Sequence, residues 1–209
     1  MKKTPVIGFV SAPAWFDPAP FEFPKVILEN VRIQQAPLLL PEFDYRLKSV
    51  ASVQEELNLC ARSLKAIGCD LVAQVGSPFA WAGVTSESEA RSRNASMAAA
   101  ADIPCLMTGL AIVDGLRALG ATKVAVNCTY YASGWRDVFA SYLRMCGFST
   151  LHVSTLSDQG LSEADAKMED YGWSMTHDLS CKSILSVAQK SPDAEAIVVT
   201  GAGTRTLEI

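Results

Sequence analysis

The chain has 209 residues, 49% of them apolar and only 19% charged, which is the balance of a globular protein with a real core. Its formal net charge is −4 and its basic residues are scattered, Lys2-Lys3, Arg91 and Arg93 included, so no stripe meets a phosphate backbone and nucleic acid is not a partner. No apolar run approaches the length of about 18 residues that a membrane span requires, and no signal peptide follows the lysine-rich start, so the chain reads as cytoplasmic with no membrane partner.

From the amino end, PVIGFVSAP predicts a buried strand, followed by an irregular loop in which Pro13, Pro18, Pro20 and Pro24 forbid continuous helix. APLLLPEF is a second strand candidate. Over residues 51–67, Val53, Leu57, Cys60, Leu64 and Ile67 recur at helical spacing, and Gly68 reads as the stop. DLVAQVG is a short apolar strand. Next come a helix over residues 86–101, strand IPCLM, helix LAIVDGLRALG, strand KVAVN, helix WRDVFASYLRMCG, strand TLHV, a helix over 174–190 and strand AIVVT. The charged run SEADAKMED reads as a solvated face, and Thr204-Arg205-Thr206-Leu207 as the start of a last helix. Strands alternating with helices imply βαβ units and mainly parallel sheets. The alternation restarts between Asp102 and Gly109, which suggests two α/β lobes, 1–105 and 106–209, with a ligand cleft between them.

Two strand-to-helix turns could carry chemistry, Val75-Gly76-Ser77-Pro78 and Thr200-Gly201-Ala202-Gly203, because each offers backbone N–H groups and a hydroxyl where an anion is favoured. Glycine also simply closes tight βα turns, and neither stretch fits G-x-G-x-x-G or the Walker pattern. A third turn, Asn127-Cys128-Thr129-Tyr130-Tyr131, crowds an amide, a thiol, a hydroxyl and phenols after a strand. His152 falls in a strand candidate and His177 in a helix, where packing or surface roles outweigh catalysis. Cys60, Cys69, Cys105, Cys146 and Cys181 read as small buried hydrophobes, and no C-x-x-C pair suggests a metal site. Ala14, Trp15, Phe16 and Phe79 to Trp81 suggest an apolar pocket lining.

The blocks PVIGFVSAP, DLVAQVGSPFAWAG, IPCLMTGLAIVDGLRALGATKVAV with Tyr130 beyond it, and PDAEAIVVTGAGTRTLE resemble the aspartate/glutamate racemase superfamily along nearly the whole chain. The resemblance is closest to its arylmalonate decarboxylase and maleate cis-trans isomerase branch. It implies two pseudo-symmetric, doubly wound α/β lobes with an active-site cleft between them, no metal, no organic cofactor and a small carboxylate substrate. It leaves oligomeric state open, a homo-oligomer included, and implies a further strand and helix after residue 209 that would complete the second lobe.

In such enzymes two cysteine positions, one per lobe, face each other across the substrate. Here they fall on Gly76 and Gly201, so both thiols are absent. Glycine at 76 looks like the decarboxylase branch and argues against two-base racemisation, whereas glycine at 201 leaves the proton donor unassigned. What carries over is a carboxylate cradle of Gly76, Ser77, Pro78, Tyr130, Thr200, Gly201, Ala202 and Gly203, with Tyr130 and Ser77 as donors. Pro78 replaces a hydroxyl-bearing residue and removes one donor. The proton would come from Cys128, another hydroxyl or water, and Gly201→Cys would be expected to create or raise decarboxylation. Three readings follow: a decarboxylase-like lyase acting on an aryl- or alkylmalonate through an enediolate, an isomerase or hydrolase of a small unsaturated or cyclic acid, and a carboxylate binder without turnover.

Overall fold

Strand β1, Val6–Ser11, forms where the sequence first becomes continuously apolar, and five of its six residues are buried, as expected for a parallel strand covered on both faces. In this computed structural model the described residues are 3–13, 17–40, 43–44, 46–163, 175–204 and 206–208. They divide into two compact units, Met1–Ala111 and Ile112–Ile209.

In the first unit β1 leads to a short helix α1, Ala19–Glu22, and a 3-10 turn, Phe23–Lys25. Of the prolines expected to forbid helix, Pro20 and Pro24 sit in the first turn of each, where the missing N–H would have no intrahelical acceptor anyway, and Pro18 is the N-cap of the first. Strand β2 covers Arg32–Pro37, not the APLLLPEF stretch expected. It pairs only with β1 at the sheet edge, so it carries the polar residues Gln34 and Gln35 and ends on a proline, and the apolar pattern shifts the sequence reading too far along.

After α2, Leu47–Ala51, helix α3 runs Gln54–Ala66 and buries Leu57, Ala61 and Leu64 against the sheet. Burying each leucine is worth about 1.5–3 kcal/mol. Ile67, counted in the expected stripe, is exposed instead, and Gly68 ends the helix at φ 91° as anticipated. The close fit of α3 on β1 depends on Gly8, where an added Cβ would lie 3.0 Å from both Cys69 Sγ and Leu64 Cδ1. Strand β3, Leu71–Gln74, is followed by the short α4, Pro78–Trp81, and by α5, Glu87–Ala101, which Ser86 caps by accepting the Glu89 N–H at 3.2 Å. With β4, Cys105–Met107, the sheet has the order β2-β1-β3-β4 and every pairing is parallel.

Helix α6, Thr108–Ala118, carries the chain across the division into the second unit. There β5, Lys123–Asn127, α7, Ser133–Met145, β6, Ser149–Ser154, α8, His177–Lys190, and β7, Ala196–Val199, build a parallel sheet of order β6-β5-β7. The helix expected from Thr204 is instead a pair of 3-10 turns, Ala202–Thr204 and Thr206–Glu208. Most of the SEADAKMED run lies outside the described residues. Among the described residues no helix is long and apolar enough to cross a membrane.

Candidate functional site

In the second unit the central strand β5 ends on Asn127, which is fully buried. Its Oδ1 accepts the Thr129 N–H at 3.1 Å and the Ser183 hydroxyl at 3.0 Å, and its main-chain oxygen accepts the Thr200 N–H at 3.0 Å. One side chain thereby fixes the turn after β5, while its backbone ties that turn to the one after β7. Thr129 is held at φ 45°, a left-handed conformation that a β-branched residue resists. Its hydroxyl donates to Thr200 O at 2.9 Å and its carbonyl accepts the Leu156 N–H at 2.7 Å. Such strain costs about 1–3 kcal/mol and persists only where the surroundings over-determine it. Here it aims the next residue, Tyr130.

The closing turn supplies the donors. Gly201 has φ 88°, and the N–H groups of Gly201 and Gly203 have no acceptor among the described residues. Backbone N–H groups gathered in a turn at a strand's carboxyl end favour an anion. Thr204 closes the turn, its N–H donating to Gly201 O at 3.0 Å and its hydroxyl to Thr200 O at 3.1 Å.

The Tyr130 ring lies directly against Gly201: a Cβ added there would sit 2.7 Å from Tyr130 Cε1, 2.8 Å from its Cζ and 2.7 Å from Thr129 Oγ1. The room for a side chain at 201 is therefore filled by Tyr130, and the backbone conformation also favours glycine. This reverses the expectation that Gly201→Cys would simply install activity, because the new side chain would displace the tyrosine.

Tyr130 also borders a pocket of about 150 Å³ that Thr129, Tyr131, Ser133, Thr155, Ser157 and Asp158 help to line, beside the carboxyl ends of β5 and β6. Burial pushes the Asp158 carboxyl up, but Arg136 Nη1, 2.7 Å from both carboxylate oxygens, and the Thr155 N–H at 2.8 Å outweigh it and hold the group below its ordinary range. Asp158 thus works as an acceptor. Cys128 is fully buried and does not line this pocket, and burial drives its thiol far above the ordinary range, so it stays protonated and poorly suited to chemistry. Among the other thiols Cys60, Cys105 and Cys181 are only half-buried, short of the full burial expected. His152 lies within β6 and His177 opens α8; neither borders the pocket.

In the first unit β3 ends on Gln74, also buried, whose Nε2 donates to the carbonyls of Val75 and Gly76. Gly76 follows at φ 99°, and its N–H has no acceptor among the described residues. A Cβ at this position would touch the Phe79 ring at 3.2 Å. Ser77 is the N-cap of α4, its side chain making no capping bond, and Pro78 opens the helix without an N–H. Gly109 lets α6 press on this turn, since a Cβ there would lie 2.7 Å from Ala80 Cβ and 2.8 Å from Ser77 O.

Phe79, Ala80 and Trp81 are buried core of the first unit, and the expected lining residues Ala14, Trp15 and Phe16 lie outside the described residues. Sequence reasoning passed over Gln74, noted Asn127 only as the amide of its turn without a bracing role, and passed over Asp17. The first two had a signal, a polar residue ending an otherwise apolar strand. Asp17 is buried, accepts the Ala19 N–H at 2.8 Å, and is pushed up to about 6 by that burial.

Among the described residues no group of three or more His, Cys, Asp and Glu is placed to hold a metal ion. Both units are parallel α/β sheets whose strands end in glycine turns, the place where open α/β folds usually bind ligands. The chain belongs to the arylmalonate decarboxylase family, whose model matches residues 7–209. No curated protein matches it.

Several solved structures share the fold. A liganded arylmalonate decarboxylase carrying glycine-to-cysteine and cysteine-to-serine exchanges superposes with a TM-score of 0.76 at 21% identity, covering 96% of this chain and 79% of that one. A cysteine-to-alanine maleate isomerase from Pseudomonas putida with maleate gives 0.74 at 18% identity, covering 96% and 79%. A maleate cis-trans isomerase from Nocardia farcinica with a covalently bound succinylcysteine intermediate gives 0.72 at 15% identity, covering 97% and 80%. At such identities the likeness is one of fold.

Proposed function

We propose that this chain is a cofactor-independent lyase that removes carbon dioxide from a small malonate-type carboxylate through a stabilised enediolate. The observation that carries the reading is the turn in which the Gly201 and Gly203 N–H groups have no acceptor among the described residues and the Tyr130 ring lies against Gly201. Loss of carbon dioxide leaves negative charge on the remaining carboxylate, and fixed donors aimed at that charge need no reorganisation as it develops. Removing one such donor typically costs about 100- to 1000-fold in rate. Thr200 anchors the turn from below through its bonds to Asn127 and Thr204. Gly76, Ser77 and Pro78 form the second candidate turn, in which the Gly76 N–H and the Ser77 hydroxyl are the donor groups.

Family membership supports decarboxylation, and the absence of thiols supports it over isomerisation. The Nocardia isomerase forms its intermediate on a cysteine, whereas neither candidate turn here contains one. Incubation of the full chain with aryl- and alkylmalonates, maleate and small lactones, followed by carbon dioxide release and proton NMR, tests the reading. Carbon dioxide from at least one malonate is expected, with Tyr130→Phe losing more turnover than Cys60→Ser. Equal losses would remove Tyr130 from the site, and binding without conversion of any compound would leave a carboxylate binder.

A further inference from the structure

We infer that the Tyr130 hydroxyl is the proton donor of this site, and that position 201 is glycine because the tyrosine ring occupies the room a side chain there would take. The inference rests on the lyase reading and adds the identity of the acid. Cζ, which bears the hydroxyl, is one of the atoms that a Cβ at 201 would meet at 2.8 Å, so the phenol end of the ring is fixed against the turn in which the Gly201 and Gly203 N–H groups have no acceptor among the described residues.

Its placement is over-determined. Thr129 is locked in its left-handed conformation by bonds to Asn127, Thr200 and Leu156, and the Tyr130 ring is braced edge-on by Tyr131 at 5.9 Å, itself braced by Trp135 at 5.5 Å. Competing acids fare worse. Cys128 is fully buried, and Asp158 spends its oxygens accepting from Arg136 and Thr155. Of the pocket's phenols, Tyr130 is the one whose ring meets Gly201.

The step balances without a co-reactant. The bond from the α-carbon to one carboxylate breaks, carbon dioxide leaves, and the electron pair remains on the α-carbon as the enediolate. That pair takes the phenol proton, so a C–H bond forms as the O–H bond breaks. The phenolate then regains a proton from water, and the product is the monocarboxylate.

The test uses the full chain with phenylmalonate in heavy water, following binding by calorimetry, carbon dioxide release and deuterium at the former carboxylate-bearing carbon. General acid catalysis is typically worth about 100- to 10,000-fold. Tyr130→Phe is therefore expected to lower kcat by at least about 100-fold, with affinity changed by less than about tenfold. Cys128→Ser losing as much as Tyr130→Phe would move the proton to the thiol and overturn the inference, as would Tyr130→Phe turning over at the wild-type rate; both outcomes leave the lyase reading standing. Wild-type protein that fails to bind phenylmalonate, or binds it without releasing carbon dioxide, overturns the lyase reading and the inference together.

Two further measurements avoid dependence on one variant. Site-specific 3-fluorotyrosine at 130 keeps the ring and makes the phenol more acidic, so the alkaline limb of kcat should move to lower pH; an unmoved limb overturns the inference. Gly201→Ala should lower the unfolding midpoint less in a Tyr130→Ala background than in the wild type. An undiminished loss would overturn the steric half of the argument.

Discussion

Gln74 and Asn127 each close the strand that leads into a candidate turn, and each is buried, yet they brace their turns with opposite polarity. Gln74 donates to two turn carbonyls, whereas Asn127 accepts an N–H and a hydroxyl. The first arrangement leaves the Gly76 N–H without an acceptor among the described residues. The second spends the Thr129 N–H on local geometry and, through its backbone, steadies a neighbouring turn in which the Gly201 and Gly203 N–H groups have no acceptor among the described residues. On the proposed reading, the second unit therefore carries the main anion-binding turn, with the Tyr130 ring against it.

Alanine at these two positions puts that contrast to its severest trial. Asn127→Ala strands two buried donors, the Thr129 N–H and the Ser183 hydroxyl, and should cost about 3–4 kcal/mol in denaturant unfolding. Gln74→Ala strands carbonyls, which tolerate a missing partner better, and should cost about 1–2 kcal/mol. A reversed order would break the comparison.

Much of the fold is visible in the sequence because parallel strands and the helices covering them carry strong apolar patterns. DLVAQVG, KVAVN and AIVVT lie where periodicity puts them. The edge strand β2 escapes because pairing on one side lets Gln34 and Gln35 interrupt the pattern. The N–H groups at 201–203 are legible from turn chemistry. The bracing amides are not, since a polar residue after an apolar run reads equally well as a boundary. Cys128 misleads for a geometric reason: residues 128 and 130 would share a face in an extended strand, but the left-handed Thr129 between them breaks the alternation.

A smaller effect sharpens the contrast at the glycines themselves. Gly201→Ala combines positive φ with contacts under 3 Å and should cost about 3 kcal/mol, while Gly76→Ala meets Phe79 at 3.2 Å and should cost about 1–2 kcal/mol. Equal costs would mean that Tyr130 yields as readily as Phe79.

Asp17 asks whether the first unit stores unfavourable electrostatics of its own. Its folded-state value of about 6 lies above the ordinary 3.8, so the folded form holds the proton more tightly and the chain loses stability as pH rises between those values. Asp17→Asn should therefore stabilise the protein by about 2 kcal/mol at pH 7.5. The gain should vanish at the acid end of that window. A pH-independent gain would assign the effect to packing.

The central claim, that the 201–203 turn binds a carboxylate, is tested most directly by amide NMR of the full chain during titration with phenylmalonate. The Gly201 and Gly203 N–H resonances should move together and saturate, while that of Gly147, which follows α7 and leads into the amino end of β6, stays in place. Saturable binding with Gly201 and Gly203 unmoved would contradict the account.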